Sequence, residues 1–115
     1  MILKSSNIPS FAEENPMGGK GHLDLVKMSE AGCFSDGIIT FAKASLAPGA
    51  EVGYHIHTGD DEAYYFLSGV GEYNDNGKVV TVGAGDFTYT NNGEGHGIKN
   101  VGEESLEFIA LITKR

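Results

Sequence analysis

A single cysteine, Cys33, stands in the whole chain, so no internal disulfide can form and folding needs no oxidising compartment. Basic residues are scarce as well: eight Lys and Arg against sixteen Asp and Glu leave a formal charge of −8, with no basic cluster. That balance excludes nucleic acid and anionic membrane surfaces as expected partners. No apolar run of signal-peptide or membrane-spanning length occurs near the polar Ser5-Ser6-Asn7 or later, and the cytoplasm is the expected location. Helical periodicity is missing too, because no long window repeats apolar residues at a spacing of about 3.6.

Glycine, in contrast, is abundant. Its 17 copies are spread between short apolar runs, which fits many strands joined by tight turns and makes an all-β sandwich or barrel the expected class. A chain of 115 residues makes one domain, so any chemistry must sit inside one fold. Residues 1–21 carry Pro9, Pro16 and several glycines with little periodicity and read as an irregular arm. Gly18-Gly19-Lys20-Gly21 lacks the Gly-Lys-Ser/Thr ending of a phosphate loop and belongs to that arm.

Eight or nine strands are expected after it: His22–Met28, Ile38–Leu46, Ala50–His57, Glu62–Ser68, Gly71–Tyr73, Lys78–Val82, Phe87–Thr90, His96–Val101 and Ser105–Ile112. Asn74-Asp75-Asn76-Gly77 predicts a hairpin, since Asn and Gly tolerate the positive φ of a tight turn with the right twist.

The chemistry concentrates between Gly49 and Gly69. His55 and His57 are one residue apart, and in a strand such residues point to the same face, where two imidazoles can close on one metal ion. Parity sets Glu62, Tyr64, Phe66 and Ser68 on one face of the next strand. If Glu62 faces the histidines, Tyr64 and Phe66 line a substrate pocket beside them. His96 opens a later strand after a glycine-rich turn. Asp60 and Asp61 read as a solvated acidic turn, Cys33 as a small apolar side chain near packing, and His22 as an ordinary half-buried residue.

Counted outward, the stretch runs Gly49, five residues, His55, one, His57, four, Glu62, six, Gly69. It resembles the first signature of the cupin superfamily. The second signature is similar to Gly85, five residues, Asn91, one, Gly93, two, His96, three, Asn100, with Asn91 where proline is usual. Fifteen residues separate the two motifs, as in compact single-domain cupins.

The resemblance implies an all-β jelly-roll barrel over residues 31–115, with residues 1–30 an arm and first strand packing on the outside of the barrel or on a partner subunit. It implies His55, His57, Glu62 and His96 as ligands of one divalent transition metal: Mn, Fe, Ni, Co, Cu or Zn. It also implies a homodimer. A metalloenzyme oxidising, decarboxylating or isomerising a small oxygen-rich metabolite is the leading expectation. The alternatives are a binding protein for a sugar or organic acid and a structural metal site. No general acid or base is named by the motifs.

Overall fold

Ten strands form two antiparallel sheets in the computed structural model, which describes residues 1–115. They are β1 Ser10–Glu14, β2 His22–Lys27, β3 Ile38–Leu46, β4 Glu51–Ile56, β5 Asp60–Ser68, β6 Val70–Asp75, β7 Lys78–Gly83, β8 Phe87–Thr90, β9 Gly95–Asn100 and β10 Leu106–Lys114. One sheet has six strands in the order β1-β2-β3-β10-β5-β8, the other four in the order β4-β9-β6-β7. The two face each other as a jelly roll, an all-β architecture.

Alternation in the sequence decides which side chains fill the space between the sheets. Leu106, Phe108 and Ala110 on β10, with Ala42, Ala44 and Leu46 on β3, are buried and meet Tyr64 and Phe66 from β5. Tyr64 and Phe66 both stack on Phe108, with ring centroids 4.5 and 5.4 Å away. Such aromatic pairs add about 0.5–1.5 kcal/mol each beyond the area they bury. The hairpin predicted at Asn74–Gly77 joins β6 to β7, and Asn76 and Gly77 take positive φ, 52° and 95°.

The N-terminal arm departs from the sequence reading in one way. Ser10–Glu14, taken as irregular, forms β1 and pairs with β2 throughout. All five of its residues are exposed, so no apolar alternation marked it. The next segment is a 3-10 turn at Pro16–Gly18, whose buried Pro16, with Met17, helps to wall the space between the sheets. There the arm crosses β4 backbone to backbone. A Cβ on Gly19 would strike the Glu51 carbonyl, one on Gly53 would strike the Met17 carbonyl, and the Glu51 N–H donates to the Lys20 carbonyl at 2.9 Å.

Two further expectations are corrected. Cys33 is exposed, beyond the 3-10 turn at Met28–Ala31. Asp60 and Asp61 begin β5 instead of forming a solvated turn; Asp61 is buried and accepts from the Tyr89 hydroxyl and the Asn92 N–H, both at 2.7 Å. No helix is long and apolar enough to cross a membrane.

Candidate metal centre

Both sheets contribute to one cluster of donors. His55 on β4 lies opposite His96 on β9, and His57 follows the end of β4; Glu62 reaches in from β5 of the other sheet. The pair on β4 faces inward because the strand slips register between Val52 and His55. Without that bulge, the alternation that buries Val52 would send His55 and His57 outward. The His57 backbone is then clamped to the loop before β9, its N–H donating to the Glu94 carbonyl at 2.9 Å and its carbonyl accepting from Gly93 at 2.7 Å.

Each imidazole is held by Nδ1, which leaves Nε2 for the centre. His55 Nδ1 lies 2.8 Å from the Gly53 carbonyl and His57 Nδ1 2.7 Å from the Asp60 carboxylate, both of which can only accept. His96 Nδ1 lies 2.7 Å from the Tyr73 hydroxyl, which in turn sits 3.1 Å from Thr90 Oγ1. Partners of this kind fix the tautomer and ring orientation of a ligating histidine. Neither Asp60 nor Tyr73 was singled out for this role in the sequence: Tyr73 lies far from His96 along the chain, and Asp60, although only three residues after His57, was read with Asp61 as a solvated turn.

The inward nitrogens crowd together. His57 Nε2 is 3.0 Å from His96 Nε2, and His96 Nε2 is 3.2 Å from His55 Nε2. Glu62 Oε1 is 3.1 Å from His57 Nε2 and 3.0 Å from His96 Nε2. All four donors fall within 4.8 Å of one another. Bare imidazole lone pairs and a buried carboxylate repel at such distances unless a positive charge sits among them, so the donor set fits a cation. Four protein ligands would close a tetrahedral ion and leave two positions free on an octahedral one.

Electrostatics in the metal-free cluster follow from the same contacts. The hydrogen bond to Glu62 leads the causes that hold the His57 pKa above its ordinary value, against the opposing effect of burial. Burial lowers that of His55. Burial pushes the Glu62 carboxyl upward, but hydrogen bonds from His57 and His96 and their charges together outweigh it and hold it below the usual range.

A cavity of about 140 Å³ opens beside the cluster, with His55, His57 and Glu62 in its wall. Of the two expected pocket residues, Tyr64 lines it and is almost fully buried. Phe66 points inward as parity requires but lies one step deeper, wholly buried against Phe108, and does not line the cavity. His22 stands apart, 3.4 Å from Asp24. Glu13 and Lys27, unmarked in the sequence reading, are the charged side chains of the wall besides the donors. Lys27 was discoverable, because it shares the parity of Leu23 and Leu25.

Replacing Tyr73 by Phe isolates the outer contact. The variant keeps the buried ring but removes the oxygen that holds His96 Nδ1. Metal affinity is expected to fall about 10–100-fold, measured by competition with a chromophoric chelator, and the metal-free protein is expected to lose about 1–3 kcal/mol of stability, because buried His96 Nδ1 and Thr90 Oγ1 lose their partner.

Comparison with known proteins agrees with this geometry. The family model described as "Cupin domain" matches residues 42–112. A curated protein of Thermotoga maritima named "Oxalate-binding protein" is 40% identical over 112 residues, 97% of this chain and 93% of its own length. A Thermotoga maritima crystal structure described as a predicted oxalate decarboxylase is also 40% identical, covers 100% of both chains and superposes with a TM-score of 0.89. A sugar phosphate isomerase of the cupin superfamily from Silicibacter pomeroyi, 21% identical, covers 100% of this chain and 76% of its own with a TM-score of 0.81, which speaks for the fold alone. With the family model matching most of the barrel and a 40% identical relative along nearly its whole length, this chain belongs to the cupin family.

Proposed function

We propose that this protein binds one divalent transition metal through His55, His57, Glu62 and His96 and uses it to capture a small, oxygen-rich carboxylate of oxalate size. The observation that carries the reading is the convergence of four donors, three of which line a cavity of only about 140 Å³. A cavity of about 150 Å³ holds a molecule the size of benzene, so a ligand of some six heavy atoms is the right scale, as oxalate is. Imidazole and carboxylate do not select among Mn, Fe, Co, Ni, Cu and Zn by softness. A six-coordinate ion such as manganese keeps two positions open for a ligand, whereas tetrahedral zinc is closed by four protein ligands.

When bound, such a metal acts as a Lewis acid that takes carboxylate oxygens at its free positions. The chain's own residues do the rest. Tyr64 and Phe108 shape the pocket, and the arm's Pro16 and Met17 contribute to its wall. The names of the Thermotoga relatives support oxalate as the first ligand to try. Calorimetric titration tests the reading. Oxalate is expected to bind manganese-loaded protein at micromolar concentration and to give no heat with chelator-stripped protein; a loaded sample that also gives none would sink the proposal.

Glu13 favours turnover as a second reading, since its carboxylate lines the cavity without belonging to the donor cluster and can pass a proton to a bound acid. Decarboxylation of oxalate balances with one proton in and carbon dioxide and formate out. Formate measured in the titrated sample separates enzyme from binder. The homodimer is part of the same proposal. Tyr65, Leu67, Phe87 and Tyr89 stand exposed and adjacent on the outer face of the six-stranded sheet, and sedimentation velocity tests whether a second copy covers them.

A further inference from the structure

Lys27 is oddly placed for a lysine. It follows Leu23 and Leu25 on the inward face of β2, where the two leucines are core, and it lines the cavity that holds the metal donors. The chain has two acidic residues for every basic one, yet no carboxylate forms an ion pair with Lys27. Its ammonium instead lies 5.1 Å from the centre of the Phe11 ring, on the neighbouring strand β1.

Register shows what lies between Lys27 and the donors. Lys27 is opposite Ala42 on β3, Ala42 opposite Ala110 on β10, and Ala110 opposite Tyr64 on β5. The adjacent row on the same face runs Thr40, Ile112, Glu62. From Lys27 to Tyr64 is three strand spacings, about 14 Å between backbones, and the two positions between are alanines. Lys27 and the donors His55, His57 and Glu62 line the same cavity from opposite ends of this row, with the ammonium turned toward Phe11. Glu13 sits opposite Leu23, four residues from Lys27 along β2, or about 13 Å, and does not neutralise it.

The geometry points to Lys27 as the anchor for the second acidic group of a dianionic ligand whose first carboxylate docks at the metal. This rests on the proposed metal-dependent binding of carboxylates and names the substrate class of that site: dicarboxylates of about oxalate to succinate length, in preference to monocarboxylates. The charges agree. Apart from the donor histidines, Lys27 is the one cationic side chain in the cavity wall, and so the one positive partner there for a second carboxylate. A lysine merely snorkelling to solvent would make no such distinction between ligands.

The test uses manganese-loaded wild type, Lys27→Gln and Lys27→Arg, with metal content read by elemental analysis and oxalate, malonate, succinate and glycolate titrated by calorimetry. The expected result is at least a tenfold loss of affinity for the tightest-binding dicarboxylate in Lys27→Gln. Glycolate binding should stay within twofold, metal content should be unchanged, and Lys27→Arg should recover most of the loss. Equal dicarboxylate affinity in wild type and Lys27→Gln overturns the role of Lys27 and leaves metal-dependent carboxylate binding standing. Metal-loaded wild type that binds none of the four acids overturns the underlying reading, and the anchor with it.

Discussion

Glu62→Gln is expected to empty the metal site while leaving the fold in place. Glu62 is the one anionic donor and the one contributed by the six-stranded sheet, bridging His57 and His96 at 3.1 and 3.0 Å. An amide of the same shape removes its charge and offers at best a neutral oxygen. Metal measured after dialysis should drop from about one ion per chain to below about 0.1, an affinity loss of a hundredfold or more, larger than the 10–100-fold typical of outer contacts.

The metal-free variant carries a second readout. The Glu62 hydrogen bond is the leading cause of the raised His57 pKa, so NMR titration should show that pKa falling in Glu62→Gln. In metal-free wild type, a His57 pKa raised on folding contributes stability that is fully present below about pH 6.5 and lost as pH rises through the folded value. The metal must displace the same proton, so affinity in wild type should fall as pH drops below the folded pKa of His57. Full metal retention in Glu62→Gln would remove Glu62 from the ligand set.

Gly19→Ala is expected to have a large effect on stability away from the donors. Gly19 and Gly53 allow the arm to cross β4 with no side chain between the backbones, and a methyl group on Gly19 meets the Glu51 carbonyl, which cannot swing aside as a side chain could. Overpacking of this kind costs about 1–3 kcal/mol. At the upper end, a chain of this size loses roughly 10 °C of melting temperature. The alternative response is detachment of the arm, which carries buried Pro16 and wall residue Met17 away from the cavity. Either outcome is visible, the first by calorimetry and the second as faster tryptic cleavage at Lys20. A variant with unchanged melting and proteolysis would show that the crossing does not hold the arm.

The strand pattern was readable because burial between two sheets imposes a period of two. Ile38–Leu46 and Phe87–Thr90 coincide with their expected bounds, and the other expected strands differ by a few residues at their ends. β1 was not readable, since an edge strand exposed along its length carries no alternation and exists by pairing with β2. Cys33 and Asp61 show the converse error: residue type suggested burial for the first and solvent for the second, and the surroundings reversed both.

The donor cluster divides in the same way. The resemblance of the spacing to the cupin signatures named His55, His57, Glu62 and His96 as the residues to bring together, because the intervals and the recurring glycines are properties of the linear chain. Only the tertiary structure decided that they meet. The bulge after Val52 turns the two histidines inward, β9 carries His96 opposite His55, and β5 delivers Glu62 from the facing sheet. Tyr73 as the outer partner of His96, the burial of Phe66 behind the pocket, and Lys27 in the wall of the same cavity depend on which strands lie side by side. Pairing between strands distant in sequence joins residues that no local spacing connects, so the chain named the candidate metal donors while the barrel set the shape and charge of the pocket around them.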